Sequence, residues 1–148
     1  MAAKKPEDQY EAVNYLLQEC RMVLPGIQAL FGFQLVAVFN QRFEQIPYGQ
    51  QVLHLAAVVL IALSAGLIMT PAAFHREVEP SAVSERFLRI STRLLLASML
   101  FLAIGVSADF FIIAALVAHS QLVPVLIAGL LFIALTFLWF VFPFWQNR

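Results

Sequence analysis

Four long apolar segments, separated by short polar stretches, dominate the chain. A membrane-spanning helix needs roughly 20 mostly apolar residues to cross about 30 Å of hydrocarbon, and four segments meet this requirement. They are residues 22–43, 52–74, 94–118 and 122–145. The third contains one acidic residue, Asp109, and the fourth has no charged residue. The pattern predicts an all-α fold, an integral membrane four-helix bundle that forms a single transmembrane domain over residues 1–148.

An amphipathic segment precedes the first span, at residues 6–21. Its apolar residues recur at steps of three and four, as in a helix with one apolar face: Tyr10, Val13, Leu17 and Cys20. Pro25 and Gly26 follow, and proline bends or ends a helix. We therefore expect residues 6–21 to form an interfacial helix on the membrane surface, with the chain turning into the bilayer at Pro25.

Composition and charge strengthen the membrane assignment and predict its orientation. Hydrophobic residues make up 61% of the chain and charged residues only 12%, against about 25% charged in soluble domains. With four spans, both termini and the loop after residue 75 share one side. That side carries eight of the nine basic residues: Lys4, Lys5, Arg21, Arg76, Arg86, Arg89, Arg93 and Arg148. Basic residues mark the cytoplasmic side, so both termini are expected there. The net charge of zero gives no reason to expect nucleic-acid binding.

Asp109 is the first candidate functional residue, because an acid within a membrane span is costly and needs a partner inside the protein. Arg42, at the outer end of the first span, is the expected partner in an ion pair. Glu44, His54 and His119 lie near the same face and could complete an outer polar cluster. Two interpretations remain open, a role in ion handling and a structural acid at a helix-packing seam.

The first span carries amides on two faces, with Gln28 on one and Gln34 and Gln41 on nearly the opposite one. A four-helix bundle can hide one polar face in its interior, whereas a second face requires another partner or water. The pattern therefore predicts a homo-oligomer in the lipid bilayer, with Gln28, Gln34 and Gln41 lining an ion path and Asp109 near its mouth. The alternative is that each amide only holds helices together.

A cluster at the cytoplasmic face could bind anionic lipid headgroups, or could simply determine topology: His75, Arg76, Arg86, Arg89 and Arg93. The chain has no Gly-rich phosphate loop, no HExxH motif and a single cysteine, Cys20. No residues of a catalytic set can be placed at one depth. We therefore expect no enzyme activity, no metal site and no cofactor.

Two motifs carry a resemblance to a known family. In residues 16–43 the pattern comprises Glu19, Arg21, Leu24, Pro25, Gly26, Gln28, Leu30, Phe31, Arg42 and Phe43. The second motif is TPAAFHR at residues 70–76, and it ends with His75 and Arg76. These segments resemble a family of small uncharacterised bacterial four-span membrane proteins, some of whose members are labelled sodium:proton antiporter. The resemblance implies a location in the bacterial plasma (inner) membrane.

Three functions are compatible with these observations. The first is passive permeation of ions or protons by a homo-oligomer, which is the specific activity favoured by the sequence. The second is a structural or regulatory membrane subunit that binds lipid or a partner protein. The third is a sodium:proton antiporter, as the family label implies. The first and third predict ion flux, and the second predicts a molecule that co-purifies.

Overall fold

The computed structural model describes residues 6–78, 84–118 and 120–146, and these are almost entirely helical. Three long helices come first: α1 at Pro6–Val38, α2 at Tyr48–Val78 and α3 at Glu85–Val117. A short 3₁₀ helix, Phe43–Gln45, lies between α1 and α2. Helix α4, Leu122–Thr136, continues through a π-helical segment, Phe137–Val141, into α5, Phe142–Gln146.

Four helices of the described residues are long and apolar enough to cross a membrane. They are Glu11–Val38, Tyr48–Glu77, Glu85–Val117 and Leu122–Trp145. The protein is therefore an all-α membrane protein, and the predicted four-helix bundle is confirmed. Helices α1 and α3 each have 33 residues, about 50 Å at 1.5 Å per residue. Each is therefore longer than the hydrocarbon core is thick.

The core of the bundle follows a seven-residue repeat. In α1 the buried positions are Val13, Cys20, Ile27 and Gln34. In α2 they alternate at steps of three and four: His54, Ala57, Ile61, Ser64, Ile68 and Pro71. In α3 the repeat is Ser91, Ser98, Gly105 and Ile112. Side chains at this spacing stay on one face of each helix when helices coil around one another. The three stripes meet and form the interior.

Small residues bring α2 and α3 into close contact. A methyl group added at Gly105 would lie 2.9 Å from Ile61 Cγ1 and 3.3 Å from the Ala57 carbonyl oxygen. One layer further along, the Ser64 hydroxyl donates a hydrogen bond of 2.8 Å to the Ser98 carbonyl. Small residues permit such close approach between membrane helices. The α2–α3 seam is therefore the most tightly packed part of the interior.

The predicted interfacial helix does not form as a separate element. Residues 6–21 are the first half of α1, which passes through Pro25 without a break. An internal proline removes one helical hydrogen bond and crowds the preceding turn, at a cost of about 3 kcal/mol. Val13, Cys20 and Ile27 are all buried, so the apolar face of α1 on both sides of Pro25 packs on the bundle. This packing on both sides of Pro25 offsets the cost.

The helix at the C-terminal end of the described chain is the least enclosed. None of the most apolar stretch of Leu122–Trp145 is buried, and α4 packs mainly along α3. Pro124 is the only fully buried residue of α4. The π-helical segment ends two residues before Pro143, and insertions of this kind accompany local bends. The lipid-exposed α4 leaves the polar interior to the other three helices.

Candidate functional site

A polar layer closes the buried stripes where α1 ends and α2 begins. We call this end of the bundle, which includes residues 39–47, the turn end. Gln34 from α1, His54 from α2 and Asp109 from α3 meet there. Gln34 and His54 occupy the stripe positions that hold apolar or small residues in every layer below. The heptad register that builds the core therefore also brings these three side chains together.

Three contacts join this polar triad, which we define as Gln34, His54 and Asp109. The Gln34 Nε2 amide donates to Asp109 Oδ2 at 2.5 Å. His54 Nδ1 lies 3.1 Å from Asp109 Oδ1. His54 Nε2 lies 3.0 Å from the backbone carbonyl oxygen of Gln34. Both ring nitrogens of His54 are thus engaged, one by a carboxyl group and one by a carbonyl.

These partners determine where the protons are. A backbone carbonyl can only accept a hydrogen bond, so His54 Nε2 carries a proton. The contact between Nδ1 and Asp109 Oδ1 then needs one more proton, because an unprotonated nitrogen and a carboxylate would both be acceptors. That proton lies on His54 or on Asp109, and in either case the pair has no net charge. The polar triad therefore holds one proton shared between an imidazole and a carboxyl group.

The surroundings of His54 restrain its ring. Gln34 lies near the C-terminal end of α1, where the helix dipole favours a nearby positive charge. The ring of Phe43 meets the imidazole edge-on, with 5.3 Å between ring centroids. Gln51 fixes the turn that carries Phe43, because its Nε2 amide donates to the Ile46 carbonyl at 3.0 Å and to the Phe43 carbonyl at 3.4 Å. The imidazole is therefore held in position by all three of its neighbouring elements.

A cavity of about 440 Å³ opens from the polar triad between α1 and α3. Most of its wall is apolar, including Phe33, Phe110 and Ile113. Asn40 and Arg42 from the turn also line it. The volume falls in the range of small-molecule binding sites, which are mostly apolar with a few polar groups. The geometry is thus that of a ligand cavity with one carboxyl group at its base.

One polar atom of the triad has no hydrogen-bond partner among the residues that the structure describes. Gln34 is only 6% exposed, and its Oε1 atom is buried without a hydrogen bond among the described residues. A buried acceptor left unpaired costs about 1–3 kcal/mol. Gln34 lines the cavity, but this oxygen has almost no exposed surface, so a donor bound in the cavity would reach it only after the Gln34 side chain rotates.

The structure gives Asp109 different partners from the predicted one. The expected Arg42–Asp109 ion pair is absent from the described chain, where Asp109 pairs with His54 and binds Gln34. Arg42 lines the same cavity but is exposed, and its backbone N–H donates to Asn40 Oδ1. The turn after α1 carries Arg42 out of the helix, because α1 ends at Val38 rather than at residue 43.

The three glutamines are not brought together either. Gln34 is buried in the triad, whereas Gln28 and Gln41 are exposed and do not line the cavity. The expected path lined by all three is therefore not formed within one chain. Of the proposed outer cluster, Glu44 is exposed, and His119 lies outside the described residues.

The motif residues lie mostly on the surface. Glu19, Arg21, Pro25 and Gly26 are exposed along α1. At the opposite end of the bundle, the ring of His75 lies 5.6 Å from the buried ring of Phe87. The basic residues of that end are also exposed: Arg76, Arg86, Arg89 and Arg93. Lys4, Lys5 and Arg148 lie outside the described residues. No three His, Cys, Asp or Glu side chains of the described segments are grouped to hold a metal ion.

The sequence interpretation missed the contact between His54 and Asp109, which is the centre of the site. His54 was expected in the outer polar cluster near Asp109, but Arg42 was expected to be the partner of the acid. The spacing of α2 residues could have indicated this contact. His54 continues the three-and-four spacing of Ala57, Ile61 and Ser64. A histidine in phase with a buried stripe faces the interior, and the acid of α3 is then its nearest candidate partner.

Comparison with known proteins gives the chain a family. Neither a curated protein nor a solved structure matches it. A family model matches residues 6–143, a range that contains all of the polar triad and its cavity. The chain therefore belongs to the family of unknown function DUF6328.

Proposed function

We propose that the protein is a proton-coupled exchanger in which the His54–Asp109 pair binds and releases the transported proton. The observation that carries the proposal is the contact of 3.1 Å between His54 Nδ1 and Asp109 Oδ1, which requires one proton between the two groups. Ionisable groups within membrane spans commonly serve in proton relays and substrate pathways. A histidine also changes its charge more readily near neutral pH than other side chains.

Exchange is favoured over passive permeation by the packing below the site. Ile27 and Ile61 fill the next layers of the stripes and are each 1% exposed. At Gly105, α3 packs so closely on Ile61 of α2 that an added methyl group would not fit. A cavity that ends on a tightly packed apolar interior suits a binding site that opens alternately to each side of the membrane. It suits an open water-filled pore less well.

The orientation of this exchanger follows from charge. We propose that the turn end faces away from the cytoplasm, because the opposite end carries the exposed arginines of α2 and α3. The cavity then opens toward the outer half of the bacterial plasma membrane. Arg42 is the other charged residue lining the cavity, and it stands at the aqueous edge of the site.

Proton flux into liposomes tests the proposal. The purified protein is reconstituted with a pH-sensitive dye inside, and flux is measured under imposed pH gradients with sodium, potassium or an organic cation on the opposite side. We expect flux that requires a counter-ion. Asp109→Asn should abolish it, because an amide cannot release the proton.

The matched control is Gln28→Leu, which changes an exposed amide of α1 outside the cavity and should leave flux unchanged. Flux that needs no counter-ion would replace exchange by permeation. If folded wild-type protein gives no flux under any gradient, the exchanger proposal is overturned in favour of a structural or regulatory subunit.

A further inference from the structure

The groups that surround the cavity define the kind of cation that it would take. We infer that the cavity binds a primary organic ammonium ion with an apolar body and exchanges it for the proton shared by His54 and Asp109. The inference rests on the proposed function, since the same pair carries the proton. It adds the class of substrate and the stoichiometry.

The hydrogen-bond acceptors of the polar triad indicate a ligand with an ammonium group. When the shared proton leaves, His54 Nδ1 and Asp109 Oδ1 face each other as two acceptors 3.1 Å apart. Gln34 Oε1 is a third acceptor, without a hydrogen-bond partner among the described residues, and a ligand reaches this buried atom when the Gln34 side chain rotates toward the cavity. A primary ammonium ion carries three N–H donors, one for each of these three acceptors. A quaternary ammonium ion has none and would leave all three unsatisfied.

The charges balance as one cation for one proton. With the shared proton, the His54–Asp109 pair has no net charge. With the ammonium ion bound, His54 is neutral, Asp109 is a carboxylate, and the ligand supplies the positive charge. The proton released passes to water. No net charge is added to the site, so burial in the membrane costs no more in one state than in the other.

The walls of the cavity suit an apolar ligand body that enters from the bilayer. Phe33 is 74% exposed and Ile113 is 55% exposed, and both line the cavity. They lie on α1 and α3 at the surface of the helices, where apolar side chains of a membrane protein face lipid. Phe110 is also on the wall, and aromatic rings attract cations. A hydrated inorganic ion gains little from such walls.

Arg42 limits the charge of the ligand. Its exposed side chain lines the cavity at the turn, beyond the polar triad. A second positive charge at the far end of a ligand would be repelled by Arg42 or placed among the apolar side chains. We therefore expect monoamines to bind and diamines of the same length to bind poorly.

Binding of three matched probes tests the inference directly. Purified protein in lipid nanodiscs is titrated with n-octylammonium, n-octyltrimethylammonium and 1,8-diaminooctane, by calorimetry and with a pH dye in weak buffer. We expect n-octylammonium to bind at least tenfold more tightly than either other probe and to release one proton per ion bound. Titration of Asp109→Asn protein gives the background from partitioning into lipid.

Variants of α1 separate the site from nonspecific uptake. Gln34→Leu removes the unpaired acceptor and should weaken n-octylammonium binding at least tenfold, while Gln28→Leu should bind like the wild type. Circular dichroism and thermal unfolding check that each variant is folded. Equal binding to wild-type and Asp109→Asn protein, or equal binding of the primary and quaternary ions, would overturn the inference. Proton release by sodium chloride but not by n-octylammonium would overturn it as well.

The outcomes for the substrate and for the function are distinguishable. If proton flux in liposomes requires Asp109 while n-octylammonium binds no better than background, the exchanger stands and this substrate class is wrong. If n-octylammonium binds in an Asp109-dependent manner while no cation drives proton flux, the binding site stands and the exchanger is wrong.

Discussion

The middle of the α2–α3 seam and the polar triad at the turn end lie on the same heptad stripes, but the seam is closely packed and the triad borders a cavity. At the seam, Gly105 and Ser64 remove side-chain volume, and the hydrogen bond from Ser64 to the Ser98 carbonyl is satisfied. At the turn end, the same register carries Gln34 and His54. A buried oxygen there lacks a hydrogen-bond partner within the described part of the chain, and a cavity opens. The seam maximises contact, whereas the triad leaves polar groups available to a ligand. From this difference we expect substitutions in the first region to affect mainly stability and substitutions in the second to affect mainly the proposed transport.

The largest loss of stability is expected at the α2–α3 seam, from Gly105→Val. A Cβ atom there would lie 2.9 Å from Ile61 Cγ1 and 3.3 Å from a backbone oxygen of Ala57, and the backbone cannot move aside as a side chain can. Overpacking of this kind costs about 3 kcal/mol. Denaturation of the detergent-solubilised protein by SDS measures the loss. Gly66→Ala is the control, because a Cβ atom at Gly66 meets nothing within 4 Å. Equal stability of both variants would contradict a tightly packed seam.

A smaller loss of unfolding free energy is expected at the polar triad, from His54→Leu. This change leaves the largely buried Asp109 carboxyl group without its imidazole partner, and losing a hydrogen bond to a charged group costs about 1.5–3 kcal/mol. Replacing both partners by apolar residues removes the need for pairing and can be neutral or stabilising. The double variant His54→Leu/Asp109→Leu should therefore be more stable than His54→Leu alone.

The same double variant should lose all proton flux, so it separates the two roles of the pair. Unfolding free energies of the four proteins in the double-mutant cycle give the coupling between His54 and Asp109. A coupling near zero would mean that the two side chains do not share a proton in the membrane. A double variant that retains flux would move the proton site elsewhere.

Sequence reasoning reached the membrane class and the four helices, because long apolar segments depend on local composition alone. It failed at Pro25, where a local rule predicted a turn. The buried faces of Val13, Cys20 and Ile27 belong to one continuous stripe, and tertiary packing on either side of a proline overrides its local cost. A stripe with a period of seven residues is visible in the sequence, but its partner helices are not.

The site was predicted only in part for a related reason. Asp109 and Gln34 were singled out as polar residues within spans, and the structure brings them together in the triad. Arg42 was chosen as the partner by depth and charge, and His54 was assigned only to the surrounding outer polar cluster. Depth can be counted from the sequence, whereas the direction in which a side chain points depends on the register between helices. The end of α1 at Val38, a few residues before the apolar segment ends, removed Arg42 from that register.

A modest loss of stability is expected from Ser64→Ala, at the α2–α3 seam. The hydroxyl of Ser64 is fully buried and donates to the Ser98 carbonyl. Hydrogen bonds between membrane helices contribute about 0.6 kcal/mol on average, and alanine fits the same space. Thr70→Ala is the control, because the Thr70 hydroxyl is exposed and bonds to the Gly66 carbonyl of its own helix. If SDS denaturation shows equal losses for the two variants, the Ser64 bond does not join α2 to α3.

The smallest change in stability is expected from Asp109→Asn, although its effect on transport should be the largest. The asparagine carbonyl can accept from Gln34 Nε2, and its amide can donate to His54 Nδ1, while His54 Nε2 still donates to the Gln34 carbonyl. Every hydrogen bond of the polar triad is thus retained with no charge and no mobile proton. We expect a loss within about 0.5 kcal/mol, as for substitutions that disturb no packing or pairing.

The tautomer of His54 in this variant shows whether that reasoning holds. Nitrogen-15 spectra of the imidazole should show a proton on Nε2 and none on Nδ1, because the asparagine amide now supplies the donor. In the wild type, Nε2 should also carry a proton, because it donates to the Gln34 carbonyl. A proton found on Nδ1 in the neutral ring would mean that the Gln34 carbonyl does not anchor His54. The turn end would then lack the fixed hydrogen-bond pattern that distinguishes it from an ordinary polar layer.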